Sequence, residues 1–360
     1  MAGIFEPKLL ATTLGSLPHR DVVRATALVL GYTPEIPAWV QFPKLGESMM
    51  KQFNDGLPGL TLGENGMVYV NTQEAAFEES LADFYTLYLS ATEDLDEEAL
   101  EAFAISPDQA VGFYELLRQL PAHETRPVAI KGQVTGPFTL GTNLTDQDFR
   151  AVYYDERLRD VVVKLVGLKA LWQVHRLRDV CPRVIVFLDE PGLVAFGSAL
   201  YISVSREDII KDVNEVAAAV HEDGALVGVH CEENTDWSLL MQCDLDILDF
   251  DAYGHLHNLL LYPRELQRFL ARGGSLGWGL VPTLDREAAA KATVEDLVDR
   301  FEKGLDELSD KGIDRDLLIR RALLTPSCGA GGLPEDLAER VLVTLHNLSA
   351  VLRTKYGFGD

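Results

Sequence analysis

Cysteine is scarce in this chain. Four thiols, Cys181, Cys231, Cys243 and Cys328, spread over 360 residues, are too few and too scattered for a disulfide framework, so each is available to a metal or to the core. Long apolar runs are missing too, and none reaches the ~20 residues that a bilayer span needs. The opening stretch Met1–Lys8 lacks the basic and then apolar pattern of a secretory signal. These absences lead to the expectation of a cytoplasmic protein with no membrane partner. Positive charge is also short: 32 Lys and Arg against 56 Asp and Glu leave a formal charge of −24, which repels a phosphate backbone and an anionic membrane alike. Nucleic acid is therefore not an expected partner, and most of the acidity reads as a solvated surface.

Two further absences bear on the fold. The glycine-rich dinucleotide fingerprint that follows a strand in open doubly wound sheets is not found. No internal repeat, low-complexity tract or linker marks a second domain, so residues 1–360 read as one unit.

What is present is alternation. From Pro127 onward, short β-branched or apolar runs alternate with longer segments of helical spacing. The runs are Val128–Gly132, Val184–Leu188, Leu226–His230, Asp246–Phe250, Ser275–Leu280 and Leu317–Leu324. The intervening helices are expected over Asp146–Val180, Arg206–Glu222, Asp236–Gln242, Pro263–Arg272, Thr293–Lys311 and Pro334–Lys355. Leu9–Gly15 and Ile36–Phe42 bring the strands to eight, the number that closes a (β/α)8 TIM barrel. Lys44–Thr72 has no clean helical period and reads as an irregular excursion after the second strand, over one mouth, with a hairpin around Leu60–Val70.

In such a barrel the reactive groups stand where strands end and loops begin, at the carboxyl face. That rule selects Ser16, Asp189 and Glu190, His230 and Cys231, Asp251, and Cys328. A histidine facing thiols and carboxylates in a reducing compartment has the makings of a zinc site. Alternation along an extended segment sends His230 and Glu232 to one face and Cys231 to the other. A strand end that curls would instead bring Cys231 inward, so the residue at 231 or 232 stays open. The plainer alternative is a buried, hydrogen-bonded histidine with two inert cysteines. Asp189-Glu190-Pro191 supplies either a helix cap or an anchor for a substrate amine. Thr13–His19 either presents backbone N–H groups to a carboxylate or caps a helix starting near Arg20. Lys131–Pro137 is a two-glycine turn that lets backbone approach a ligand, and Trp39, Trp237 and Trp278 near strand ends are read as packing residues before pocket walls.

Taken together these strand ends resemble the catalytic barrel of cobalamin-independent methionine synthase, within the superfamily that includes uroporphyrinogen decarboxylase and the corrinoid-dependent thiol methyltransferases. The resemblance runs nearly end to end. Thr12–Pro18 is similar to the family's first-strand motif, Leu188-Asp-Glu-Pro191 to its Asp-Glu-Pro, Val229-His-Cys-Glu232 to its His-x-Cys and Pro326-Ser-Cys-Gly329 to its final Pro-Asp-Cys-Gly. Gly132–Pro137, His230–Trp237 and Ile247–Tyr253 look most like a short bacterial and archaeal branch that has the catalytic barrel alone.

The resemblance implies zinc held by His230, a residue at 231 or 232 (Cys231 or Glu232), Asp251 and Cys328. It implies homocysteine as the thiol substrate, with Ser16 on its carboxylate, Asp189 on its ammonium and Glu47 near the same amine. Four departures follow: Glu232 stands where a thiolate is expected, Asp251 replaces a glutamate, Ser275–Thr283 holds no histidine, and the additional N-terminal barrel that helps bind polyglutamyl folate has no counterpart. Single-barrel relatives imply a methyl-corrinoid, free or protein-borne, as donor. Three alternatives are a corrinoid-linked transfer to another thiol, a uroporphyrinogen decarboxylase-like lyase, and a non-catalytic partner of a corrinoid protein. The lyase fits poorly, because its polycarboxylate substrate wants an arginine-rich mouth.

Overall fold

A computed structural model describes residues 4–64, 66–201 and 203–359; Met1–Gly3 of the opening stretch and Asn65 of the expected hairpin lie outside the described residues. The chain is α/β. Its centre is a curled six-stranded parallel sheet of β3 (Ile130–Thr135), β4 (Val184–Asp189), β5 (Leu226–Cys231), β6 (Ile247–Phe250), β7 (Ser275–Val281) and β8 (Ala322–Pro326), paired in chain order. A separate antiparallel hairpin, β1 (Leu60–Leu62) with β2 (Val68–Val70), precedes it. No helix among the described residues is long and apolar enough to cross a membrane.

The two edges of the sheet are not bare. Leu9 N and Thr12 N donate to Ala322 O (2.8 Å) and Leu324 O (3.0 Å), and Leu324 N donates back to Leu10 O (2.8 Å). On the other edge Lys131 N donates to Pro37 O (2.9 Å). The two covering segments then meet each other through Gln41 N to Gly15 O (3.1 Å) and Leu17 N to Gln41 O (3.0 Å). Each contact is an isolated parallel bridge rather than a ladder. The expected strands at Leu9–Gly15 and Ile36–Phe42 are thus extended segments held at single points. Pro34, Pro37 and Pro43 explain part of this, since proline has no N–H to donate to a ladder.

Two apolar layers follow from the two-residue period of the strands. Val184, Val186, Leu188, Val227, Val229, Leu248, Leu276 and Leu324 point outward into a core shared with the helices. Ile185, Phe187, Ile247 and Leu323 point inward and pack with Leu10, Leu14 and Ile36 at the amino end. Closeness inside is enforced by glycine: a Cβ on Gly228 would stand 2.4 Å from the Phe187 ring. Burial of a ring such as Phe187 contributes about 1.5–3 kcal/mol.

The helix over Arg206–Glu222 begins where expected because Ser205 and Asp208 form a reciprocal capping box. Other boundaries moved. Leu317–Leu324 is not one strand: the Asp314 carboxylate caps a helix over Arg315–Arg320, and β8 starts only at Ala322. The long helix starts at Glu156, capped by Asp155, rather than at Asp146. Within the excursion, Ser48 caps a short helix, Met49–Asn54, ahead of the β1–β2 hairpin. Helices over Phe77–Thr92, Glu97–Glu101 and Val111–Gln119 fill the stretch before β3.

Candidate metal centre

Three side chains from two strand ends converge at the carboxyl face. One ligand atom each from His230, Glu232 and Cys328 lies within 4.8 Å of the others. His230 is the last inward residue of β5, Glu232 follows that strand, and Cys328 follows β8. The Cys328 Sγ sits 2.6 Å from Glu232 Oε2. His230 Nδ1 is 2.7 Å from Asp249 Oδ1, while Nε2 is buried and has no hydrogen-bond partner. A buried imidazole nitrogen left without a partner costs about 1–3 kcal/mol unless something binds it. Nitrogen, sulfur and carboxylate oxygen are all ligands that zinc accepts, so the donor set fits a metal.

Asp249 orients the histidine. It lies opposite His230 in the β5–β6 register and opposite Gly277 in the β6–β7 register. Its second oxygen accepts from Thr325 Oγ1 at 2.7 Å, so the carboxylate is fixed from both sides. An Asp249→Asn variant should bind zinc about 10–100-fold more weakly, the usual cost of losing an outer-shell partner. Competition against a chelator of known affinity measures this, and unchanged affinity would remove Asp249 from the account.

The charges are shaped by burial. Burial opposes a charged His230, but the Asp249 carboxylate and the neighbouring Cys328 sulfur outweigh it and hold the imidazole well above its ordinary range. Burial raises the Cys328 thiol, with His230 pulling the other way. Asp189, at the end of β4 beside His230, is pushed up to about 6 by burial against the pull of Lys131 and His230. No donor among the described residues bonds to its carboxylate. Lys131, buried inside the sheet, is pushed down to about 8; its Nζ donates to Gln133 Oε1 (3.1 Å) and lies 4.6 Å from the centre of the Phe187 ring.

The other residues singled out in the sequence lie elsewhere. Cys231 faces the outer apolar layer, where burial pushes its thiol up to about 12. Asp251 is outside the converging set: its Oδ1 accepts from Gly254 N at 2.8 Å, and His255 Nε2 is 3.8 Å from its Oδ2. Both Glu47 oxygens accept backbone N–H groups, from Phe42 (2.6 Å) and Val111 (2.9 Å), so this side chain ties loops together. Glu190 is the cap of the Asp-Glu pair: it accepts from Phe138 N (3.0 Å), Thr139 N (2.8 Å) and Thr139 Oγ1 (2.6 Å) at the start of helix Pro137–Asn143. Asp21, not the Thr13–His19 segment, caps the first helix, Val22–Tyr32.

Ser16 rests against the loop that carries Cys328. Its Oγ accepts from Gly331 N at 3.2 Å, its carbonyl accepts from Ala330 N at 2.9 Å, and a Cβ on Gly329 would stand 2.1 Å from that Oγ. Thr283 Oγ1 braces the same loop, donating to Cys328 O (3.0 Å) and accepting from Cys328 N (3.0 Å). Trp39, Trp237 and Trp278 are packing residues, each fully buried. Asp249 was missed in the sequence, although the period of two puts it on the same face as Asp251.

No protein-family model matches the chain. Among curated proteins, it is similar to the methionine synthase of Methanocaldococcus jannaschii, 27% identical over 215 residues. That match spans 59% of this chain and 61% of the relative's length. Among solved structures, the chain is similar to a B12-independent methionine synthase from Shewanella sp. W3-18-1 in complex with selenomethionine, with a TM-score of 0.59 at 13% identity over 97% of this chain and 98% of that one. It is also similar to a methyltransferase from Methanosarcina mazei, with a TM-score of 0.56 at 11% identity over 96% and 97% of the two chains. At these identities the two structures speak to the fold.

Proposed function

We propose that this methionine-synthase-like chain is a zinc-dependent methyltransferase that moves a methyl group to a thiol, homocysteine, from a methyl-corrinoid. In this reading residues 1–360 form one eight-unit barrel, with Leu9–Gly15 and Ile36–Phe42 as its first two staves. The observation that carries the proposal is the convergence of His230, Glu232 and Cys328, with His230 Nε2 buried and lacking a partner.

The residues divide the work. His230 Nε2, Glu232 and Cys328 Sγ would hold the metal, and Asp249, bonded to Nδ1, leaves Nε2 as the imidazole nitrogen free to do so. Zinc, if held there, would supply one thing, the deprotonation of a thiol that otherwise has a pKa of about 8.5 and is mostly protonated at neutral pH. Asp189 has no donor among the described residues and stands at the end of β4 beside His230, which suits it to the substrate ammonium. Ser16, whose Oγ accepts from Gly331 and keeps its own proton, can donate to the substrate carboxylate. Fixing both ends of the amino acid leaves the sulfur alone to reach the metal, which is the orientational part of the rate. Glu232, in place of a second thiolate, makes the site more Lewis-acidic than an all-sulfur one.

The reading is tested by methyl transfer from methylcobalamin to homocysteine, followed as methionine formed, before and after chelation. Activity lost with the metal and restored by about one zinc per chain supports it. Equal turnover by stripped and reloaded protein would overturn the metal's role.

A further inference from the structure

Strands β3 to β8 hold a single lysine and no arginine, and that lysine faces the interior. Ile130 and Val134 belong to the outer apolar layer, so the two-residue period turns Lys131 inward with Gln133 and Thr135. Lys131 is 1% exposed. Burying an ammonium is costly unless it is well paired, and an apolar side chain of similar length fills such a place more cheaply. The surroundings here are built for the charge. Gln133 Nε2 donates to Trp39 O (3.1 Å), which leaves Oε1 to accept from Lys131 Nζ at 3.1 Å. The face of the Phe187 ring lies 4.6 Å from Nζ, within the range at which a ring attracts an ammonium. Gly228 makes room for that ring, since a Cβ there would stand 2.4 Å from it.

The ammonium stands just beneath the metal centre. Phe187 is the inward residue before Asp189 on β4, Asp189 is opposite His230, and His230 is opposite Asp249. Asp189 and Asp249 are the two groups whose charge acts on Lys131. Above it the centre is rich in groups that ionise to anions: Asp189, Asp249, Glu232 and Cys328. The positive charges acting on Asp189 come from Lys131 and His230, and Asp249 and Glu232 work against them. A histidine that ligates a metal does so as the neutral imidazole. Of these two cations, Lys131 is therefore the one that keeps its charge beside a bound metal. A substrate held as a thiolate brings a further negative charge to the same place.

We propose that Lys131 is the internal counter-ion of the site: its buried ammonium offsets the neighbouring carboxylates and so lets the metal centre take up one more anion, the thiolate of the substrate. The inference rests on the thiol-binding metal centre proposed above. A cation placed there repels zinc and attracts a thiolate, so its removal moves the two affinities in opposite directions. Damage to the fold weakens both.

The test uses Lys131→Met, which keeps most of the length and removes the charge; Lys131→Gln, which can still donate to Gln133, decides the matter if the first variant does not fold. Chelator competition should show zinc held about tenfold more tightly than by the parent protein. Calorimetric titration of the zinc-loaded variant should show homocysteine and 2-mercaptoethanol bound about tenfold more weakly. The two thiols should lose by like factors, because the charge acts on the sulfur that they share. Zinc affinity that falls or stays level would overturn the proposal, as would thiol affinity that stays level or rises. A loss confined to homocysteine would also overturn it, by moving the influence of Lys131 to the amino-acid end of the substrate. A parent protein that holds zinc but takes up neither thiol would reject the thiol reading itself, and this inference with it.

Discussion

His230→Ala and Cys328→Ala should each purify with far less than one zinc per chain and lose methyl transfer by more than a thousandfold. Both residues sit at strand ends, one on β5 and one beyond β8, where the sheet fixes their backbone. Removing His230 takes away the only nitrogen in the set, and removing Cys328 takes away the only sulfur that the protein provides. Losing an outer-shell partner alone costs 10–100-fold in affinity, and a direct ligand should cost more. Two controls sharpen the result. Cys231→Ala empties a place in the outer apolar layer, and Asp251→Asn alters a carboxylate bonded within its own loop; both should keep a full complement of zinc. Metal analysis and turnover on the four proteins decide the matter, and unchanged zinc content in the first two would sink the ligand assignment.

Gly277→Ala should be the most damaging single methyl group near the centre. A Cβ there would lie 2.1 Å from Asp249 Oδ2 and 2.7 Å from its Cγ. The carboxylate has nowhere to go, because one oxygen is bonded to His230 and the other to Thr325. Either the β6–β7 register opens or Asp249 rotates and abandons the histidine. Overpacking of this kind costs about 1–3 kcal/mol and more where the obstructing group is fixed, so we expect a loss near the top of that range together with weaker zinc binding. Gly332→Ala, whose added methyl meets open space, should be neutral in both respects. Chemical denaturation and zinc titration on the pair check this; a Gly277→Ala protein as stable as the parent would contradict the packing.

The strand ends were legible because period and punctuation agree there. Val184–Leu188 and Leu226–His230 are apolar runs cut off by polar residues, Ser275–Leu280 is one closed by Pro282, and each became a strand that ends at the carboxyl face. His230 and Cys328 could be named as metal candidates from that alone. Asp249 could not, since a lone carboxylate inside a strand reads as a polar edge until the register sets it opposite His230. Asp251 drew attention in its place by standing after the strand, where it in fact closes its own turn through Gly254. In the Asp-Glu pair the cap reading found its residue in Glu190, which caps a helix from across the sheet, while Asp189 ends β4 opposite His230. The first third was harder because its extended segments are pinned by single bridges between prolines, and nothing in their composition tells a bridge from a ladder. Leu317–Leu324 misled for a related reason: an apolar run serves a helix and a strand equally, and only the Asp314 cap separates them.

The central claim is that His230, Glu232 and Cys328 hold a zinc ion with room for a substrate thiol. Zinc-edge X-ray absorption of the loaded protein, with and without homocysteine, counts sulfur neighbours directly. The account predicts one sulfur, from Cys328, in the absence of substrate and two in its presence. Two sulfurs before addition would make Cys231 a ligand after all, and no sulfur gained on addition would contradict thiol activation at this site.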